Sequence, residues 1–136
     1  MTVILCIDDR GGMLFGGRRQ SRDALLFKDI AKTVGDGLLY ISDFSESLLA
    51  ETELCAVSVP YPLDSAGKGD FVFNECFRIG GHLEDIERLV IYKWNKKYPY
   101  DFALDIDPLA AGFSLRESYD FVGRSHDKIT KEIYEK

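Results

Sequence analysis

Arg88-Leu-Val-Ile-Tyr92 opens an ordered series of short segments in the carboxy-terminal third of the chain. After it come Tyr98-Pro-Tyr-Asp101, Asp105-Ile-Asp107, Ser125-His126 and Glu132-Ile-Tyr-Glu135. Short apolar runs separated by turn-forming residues predict strands. The pattern predicts strands at 3–7, 38–41, 55–59, 71–79, 89–94, around 113–115 and at 129–134.

Two helices lie between the earlier strands. Ser21 can cap a helix that runs to about Val34, because four apolar residues recur at helical spacing and Gly35-Asp-Gly37 can end it. These residues are Leu26, Phe27, Ile30 and Val34. A shorter helix is predicted at 43–50, with Ser42 or Asp43 as its cap. Residues 59–71 are predicted to form a surface connection rich in turns.

Composition excludes several classes of function. The 136 residues carry a net charge of -6 and a pI near 4.9, so a nucleic acid is not the expected partner. The opening apolar run is too short for a signal peptide or a membrane span, and we expect a cytoplasmic protein with no membrane partner. The three cysteines lack Cys-X-X-Cys spacing, and only two histidines occur, so no metal site is expected.

The order of the carboxy-terminal segments resembles the second half of dihydrofolate reductases. Val3-Ile-Leu-Cys-Ile7, Asp8-Asp-Arg-Gly-Gly12 and Asp23 are similar to the first strand, mobile loop and acidic helix of that family. The resemblance implies one domain over residues 1–136, with an α/β fold of three layers, α/β/α. Its central mixed sheet would be mostly parallel, and an antiparallel hairpin would end at Tyr134.

The resemblance also implies a site around Asp23. In the family an acid at this position binds a heterocycle and assists its protonation, so Asp23 is the candidate catalytic residue. Apolar walls around it would raise its pKa. The alternative is that Asp23 only complements the start of the helix. Ile7, Phe27 and Tyr92 match ligand-pocket positions, although Phe27 and Tyr92 suit a core equally well.

Basic residues and glycines give further candidate sites. Arg18 and Arg19, with Arg10 and Arg22, form a basic patch suited to a phosphorylated ligand. The alternative is a solvated loop, or pairing with neighbouring aspartates. Gly80-Gly81 resembles the family's glycine pair at the nicotinamide cofactor, and a simple turn is the alternative.

Several departures from the family point away from folate reduction. Asp43 lies where the family has a basic residue that holds cofactor phosphate, and no Arg or Lys occurs between Leu48 and Val59. Residues that would wall the adenosine pocket are missing between Val59 and Phe71. We therefore expect a divergent protein that binds a small heterocyclic or phosphorylated ligand, or acts in regulation, without a cofactor. The alternative is a small NADPH-dependent reductase of a pterin-like substrate. The oligomeric state is left open by the sequence.

Overall fold

A computed structural model describes residues 1–136. Its strands are β1 (Thr2–Ile7), β2 (Gly12–Phe15), β3 (Arg18–Arg19), β4 (Leu39–Ile41), β5 (Ala56–Ser58), β6 (Phe71–Phe73), β7 (Arg88–Lys93), β8 (Phe102–Ala103), β9 (Ser114–Phe121) and β10 (Ile129–Glu135). Its α-helices are α1 (Ala24–Val34), α2 (Glu46–Leu49) and α3 (Pro62–Ser65). Two 3₁₀ helices span Asp43–Ser45 and Gly80–Asp85.

Seven strands form the central sheet in the order β5-β4-β6-β1-β7-β10-β9. The five strands from β5 to β7 are parallel, and β10 and β9 are antiparallel additions. This confirms the prediction of a mixed, mostly parallel sheet with an antiparallel carboxy-terminal hairpin. A second sheet, in the order β3-β2-β8, was not predicted, because its strands are only two to four residues long.

Both faces of the sheet are covered over β6, β1 and β7, which is why these parallel strands are continuous apolar runs, whereas the edge strands β5 and β9 are largely exposed. One face packs against α1 and α2 through a core that includes Leu26, Ile30 and Leu48. The other packs against α3, the small sheet and loops, with Met13 and Leu63 in its core. No helix is long and apolar enough to cross a membrane.

The first helix begins three residues later than the predicted cap. Asp23, not Ser21, is its cap residue, with its carboxylate accepting from the backbone N–H groups of Leu25 and Leu26. Gly35 ends the helix as predicted, at a φ of 56°. The four predicted apolar residues of its inner face are all buried.

Other boundaries also differ from prediction, and the strand predicted around 113–115 extends to Phe121 as β9. The strand predicted at 71–79 stops at Phe73, because the Asn74 side chain bonds both the N–H and the carbonyl of Phe77 and closes a turn. The connection predicted at 59–71 contains α3, which begins at a proline suited to the first helical turn. The shortened β6 leaves Glu75 outside the sheet, where it contributes to the candidate site.

Candidate functional site

Asp23 lies at the junction of α1 and the turn before β10, and its side chain is inaccessible to solvent. Besides the two helix N–H groups, its carboxylate accepts from the N–H groups of Arg124 and Ser125, each at 2.9 Å. The Ser125 hydroxyl and His126 Nδ1 also hydrogen-bond to Asp23 Oδ2, at 3.2 and 2.9 Å. An added Cβ at Gly123 would lie 2.5 Å from the carboxylate, so this approach requires glycine.

The expected raised pKa of Asp23 is wrong. Burial by itself would raise it, but hydrogen bonds from Arg124, His126 and Ser125 outweigh burial and hold the pKa of Asp23 well below its usual range. The carboxylate is therefore ionised at neutral pH. Its bonds to the first turn of α1 match the structural alternative.

His126 connects Asp23 to Ser21. Its Nε2 lies 2.9 Å from Ser21 Oγ, and the Tyr98 hydroxyl lies 3.4 Å from the same nitrogen. Trp94 stacks on the imidazole with ring centroids 4.6 Å apart. His126 is 6% exposed, so these contacts fix the ring.

Ile7 and Phe27 do not share a pocket wall. Ile7 belongs to the core on the α3 side of the sheet, whereas Phe27 belongs to the core on the α1 side. The expected placement of Asp23 beside both residues is therefore wrong, because successive side chains of a strand alternate between faces. Cys6, the preceding residue of β1, lines a cavity with Phe27.

That cavity lies at the carboxyl ends of β1 and β6, where open α/β sheets commonly bind ligands. Its volume is about 20 Å³, enough for roughly one water molecule. Arg19 Nε donates to Glu75 at 2.8 Å beside it, and Ser45 Oγ donates to Glu75 at 2.7 Å. Side chains of the protein thus leave little open space at this end of the strands.

Tyr92 is fully buried and lines neither the cavity at the strand ends nor the two cavities beside α1. Its hydroxyl donates to Asp29 Oδ2 at 2.5 Å, and Lys131 Nζ reaches the same oxygen at 2.8 Å. Lys131 also donates to Thr33 Oγ1 at 2.7 Å. Burial and the Asp29 carboxylate raise the pKa of Tyr92. These polar contacts join α1 to β7 and β10 beneath the helix.

The predicted basic patch is divided among separate partners. Arg19 pairs with Glu75, Arg22 pairs with Glu51 at 2.7 Å, and Arg10 donates to the Tyr98 carbonyl. Arg18 is exposed on β3. None of these arginine side chains pairs with Asp8, Asp9 or Asp23, so that part of the alternative is wrong, while the exposed Arg18 matches the solvated loop.

Gly80 and Gly81 begin a 3₁₀ helix. The Asp105 carboxylate accepts from the N–H groups of Ile79 and Gly80, both at 2.9 Å. An added Cβ at Gly80 would lie 2.8 Å from the same carboxylate. The Asp105 carboxylate thus occupies the N–H group of Gly80, one of the two predicted cofactor-binding residues.

The open concave surface lies instead between α1 and residues 51–54. We call it the helix groove, and its volume is about 610 Å³. Lys28 and Lys32 line it from α1, with Phe27 and Leu54 as apolar contacts and Glu51 and Glu53 opposite. A neighbouring cavity of about 240 Å³ shares Phe27 and Glu51 and extends to Asp23 and Ser125. No group of three His, Cys, Asp or Glu side chains is placed to hold a metal ion.

The fold is that of dihydrofolate reductases. A dihydrofolate reductase from Enterococcus faecalis, complexed with NADP(H) and RAB-propyl, superposes with a TM-score of 0.70 over 98% of this chain and 94% of that chain. The two sequences are 9% identical. The sequence matches no protein-family model and no curated protein.

Proposed function

We propose that this protein, which has the fold of dihydrofolate reductases, is a ligand-binding protein that does not reduce folate. The closed cleft carries the proposal: Arg19 and Glu75 leave about 20 Å³ at the carboxyl ends of the strands. Reduction of a pterin by a nicotinamide requires two flat rings in contact. A cavity with room for one water cannot hold them.

The helix groove supports a ligand that combines an aromatic or heterocyclic body with a carboxylate or phosphate. Lys28 and Lys32 lie one helical turn apart and present two ammonium groups on one face of α1. Neither forms an ion pair within the protein. Apolar contact with Phe27 and Leu54 would accommodate the ring, while the lysines bind the anionic end.

Charge reversal at the two lysines tests this placement. In K28E/K32E, folic acid and adenosine monophosphate, used as anionic heterocyclic probes in calorimetric titrations, are expected to bind at least about 10-fold more weakly. The matched control is K96E/K97E, which makes the same change in net charge at exposed positions outside the groove. Equal affinity in both variants, or no binding of either probe to the native protein, would contradict the proposal.

The reductase alternative predicts a cofactor site, which gives a second test. We expect the dissociation constant for NADPH to be larger than about 10 μM, which corresponds to a favourable binding free energy of less than about 7 kcal/mol. The Asp105 carboxylate already accepts a hydrogen bond from the Gly80 N–H group. Asp43 places a negative charge at the first turn of a 3₁₀ helix, where the family has a basic residue for the cofactor phosphate. Quenching of Trp94 fluorescence or a rise in nicotinamide fluorescence would measure binding. Tighter binding would make an NADPH-dependent reductase the better hypothesis.

A further inference from the structure

We infer that Ser21, His126 and Asp23 form a nucleophile, a base and an orienting acid for acyl transfer from short esters. Ser21 Oγ lies 2.9 Å from His126 Nε2, and His126 Nδ1 lies 2.9 Å from Asp23 Oδ2. Both distances are within the range required between a nucleophile, its base and the group that orients the base. This activity goes beyond the proposed ligand binding, and its three reacting residues are not the lysines that would hold the ligand's anionic end.

The hydrogen bonds fix the proton on the imidazole. Because the ionised Asp23 can only accept, Nδ1 carries the hydrogen and Nε2 is left as an acceptor for the Ser21 hydroxyl. That is the tautomer a general base needs. Trp94, stacked on the ring, prevents it from turning away. Asp23 is thus a positioning residue, and its five other hydrogen bonds hold it ionised.

Donors for a developing oxyanion are available in the same segment. The backbone N–H groups of Ser21 and Arg22 form no hydrogen bond within the protein. These two N–H groups belong to the nucleophilic residue itself and to the residue that follows it in the sequence. Such donors stabilise the negative charge that forms on the carbonyl oxygen during attack.

The surroundings indicate the substrate class. Ser21 is half-buried and lines the cavity of about 20 Å³, while the next two residues, Arg22 and Asp23, line the cavity of about 240 Å³. Phe27 and Leu48 line both cavities and give the larger one an apolar wall, which suits a short acyl chain. The exposed Arg22–Glu51 ion pair lies at the same cavity, where a polar leaving group can reach solvent.

The chemistry balances without a cofactor. The Ser21 oxygen forms a bond to the ester carbonyl carbon while its proton passes to His126 Nε2. The bond to the leaving alkoxide then breaks, and the imidazole returns the proton to give an alcohol. Water attacks the acyl-serine by the same route, so the products are a carboxylic acid and the free hydroxyl of Ser21.

A fluorophosphonate probe tests the nucleophile, because the Ser21 oxygen would bond to phosphorus as fluoride leaves. We expect intact-mass spectra of the folded protein to show one adduct, located on Ser21 by peptide mapping. Ser21→Ala is expected to remove the adduct and to lower p-nitrophenyl acetate hydrolysis by at least about 100-fold. Circular dichroism would confirm that Ser21→Ala folds, since it loses one hydroxyl of a half-buried residue.

Two further variants distinguish catalysis from structure. Ser118→Ala is the matched control, because it removes the hydroxyl of an exposed serine on β9 that contacts none of the three residues, and it should keep labelling within about threefold. Asp23→Asn should lower kcat per folded chain about 100-fold or more with KM unchanged. No adduct on Ser21 at millimolar probe, or equal hydrolysis by the native protein and Ser21→Ala, would overturn the inference. Neither result depends on ligand binding at Lys28 and Lys32.

Discussion

Asp23→Asn is expected to lower the free energy of unfolding by about 3 kcal/mol at neutral pH. The native carboxylate accepts six hydrogen bonds, and an asparagine amide would place an NH₂ group against donors that point toward it. Denaturant unfolding measures the change directly. Asp36→Asn, in the exposed turn after α1, is the matched control and should change stability by less than about 0.5 kcal/mol.

The same substitution has a predicted dependence on pH. The pKa of Asp23 is lower in the folded protein than its ordinary 3.8, so its stabilisation is complete above that value and is lost as the pH falls toward the folded pKa. The difference between native protein and Asp23→Asn should therefore shrink by about 1 kcal/mol between pH 7 and pH 3. A gap independent of pH would show that the carboxylate charge is not responsible.

Lys131→Met is expected to destabilise the protein by about 2 to 4 kcal/mol, although methionine has a similar volume. It would leave Asp29, 19% exposed, with only the Tyr92 hydroxyl and no cation beneath α1. Burial lowers the pKa of Lys131, but the bonds to Asp29 and Tyr119 outweigh burial and raise it overall. The stabilisation from the Lys131–Asp29 pair is thus fully present at pH values below 10.5, the ordinary pKa of lysine. It is lost as the pH rises through the pKa of Lys131 in the folded protein.

Tyr92→Phe is the comparison for this variant. It removes one neutral donor to Asp29 and leaves the lysine in place, so a loss of only about 1 kcal/mol is expected. Thermal melts of both variants show which substitution destabilises the protein more. If Tyr92→Phe proves more destabilising than Lys131→Met, the buried ion pair is not what stabilises the contact between α1 and the sheet.

The fold could be predicted largely from the sequence because its signals are local. The apolar residues of α1 recur at helical spacing, and β1 and β7 are short apolar runs bounded by turn residues. Their order along the chain, with helices between the earlier strands, supported the mostly parallel sheet that the family resemblance implied. Short elements such as α3 carry too few residues for a periodic pattern, and they were missed.

The candidate site was decided by tertiary structure. His126 contacts Asp23 across 103 residues, Arg19 meets Glu75 across 56, and Asp105 bonds Gly80 across 25. No local pattern marks such pairs, because the sheet and its connections bring them together. A carboxylate's pKa depends on those partners, so Asp23 could be named from the sequence while its ionisation could not. The sequence determines which residues can ionise, but their protonation states and the cavities around them depend on which remote groups pack against them.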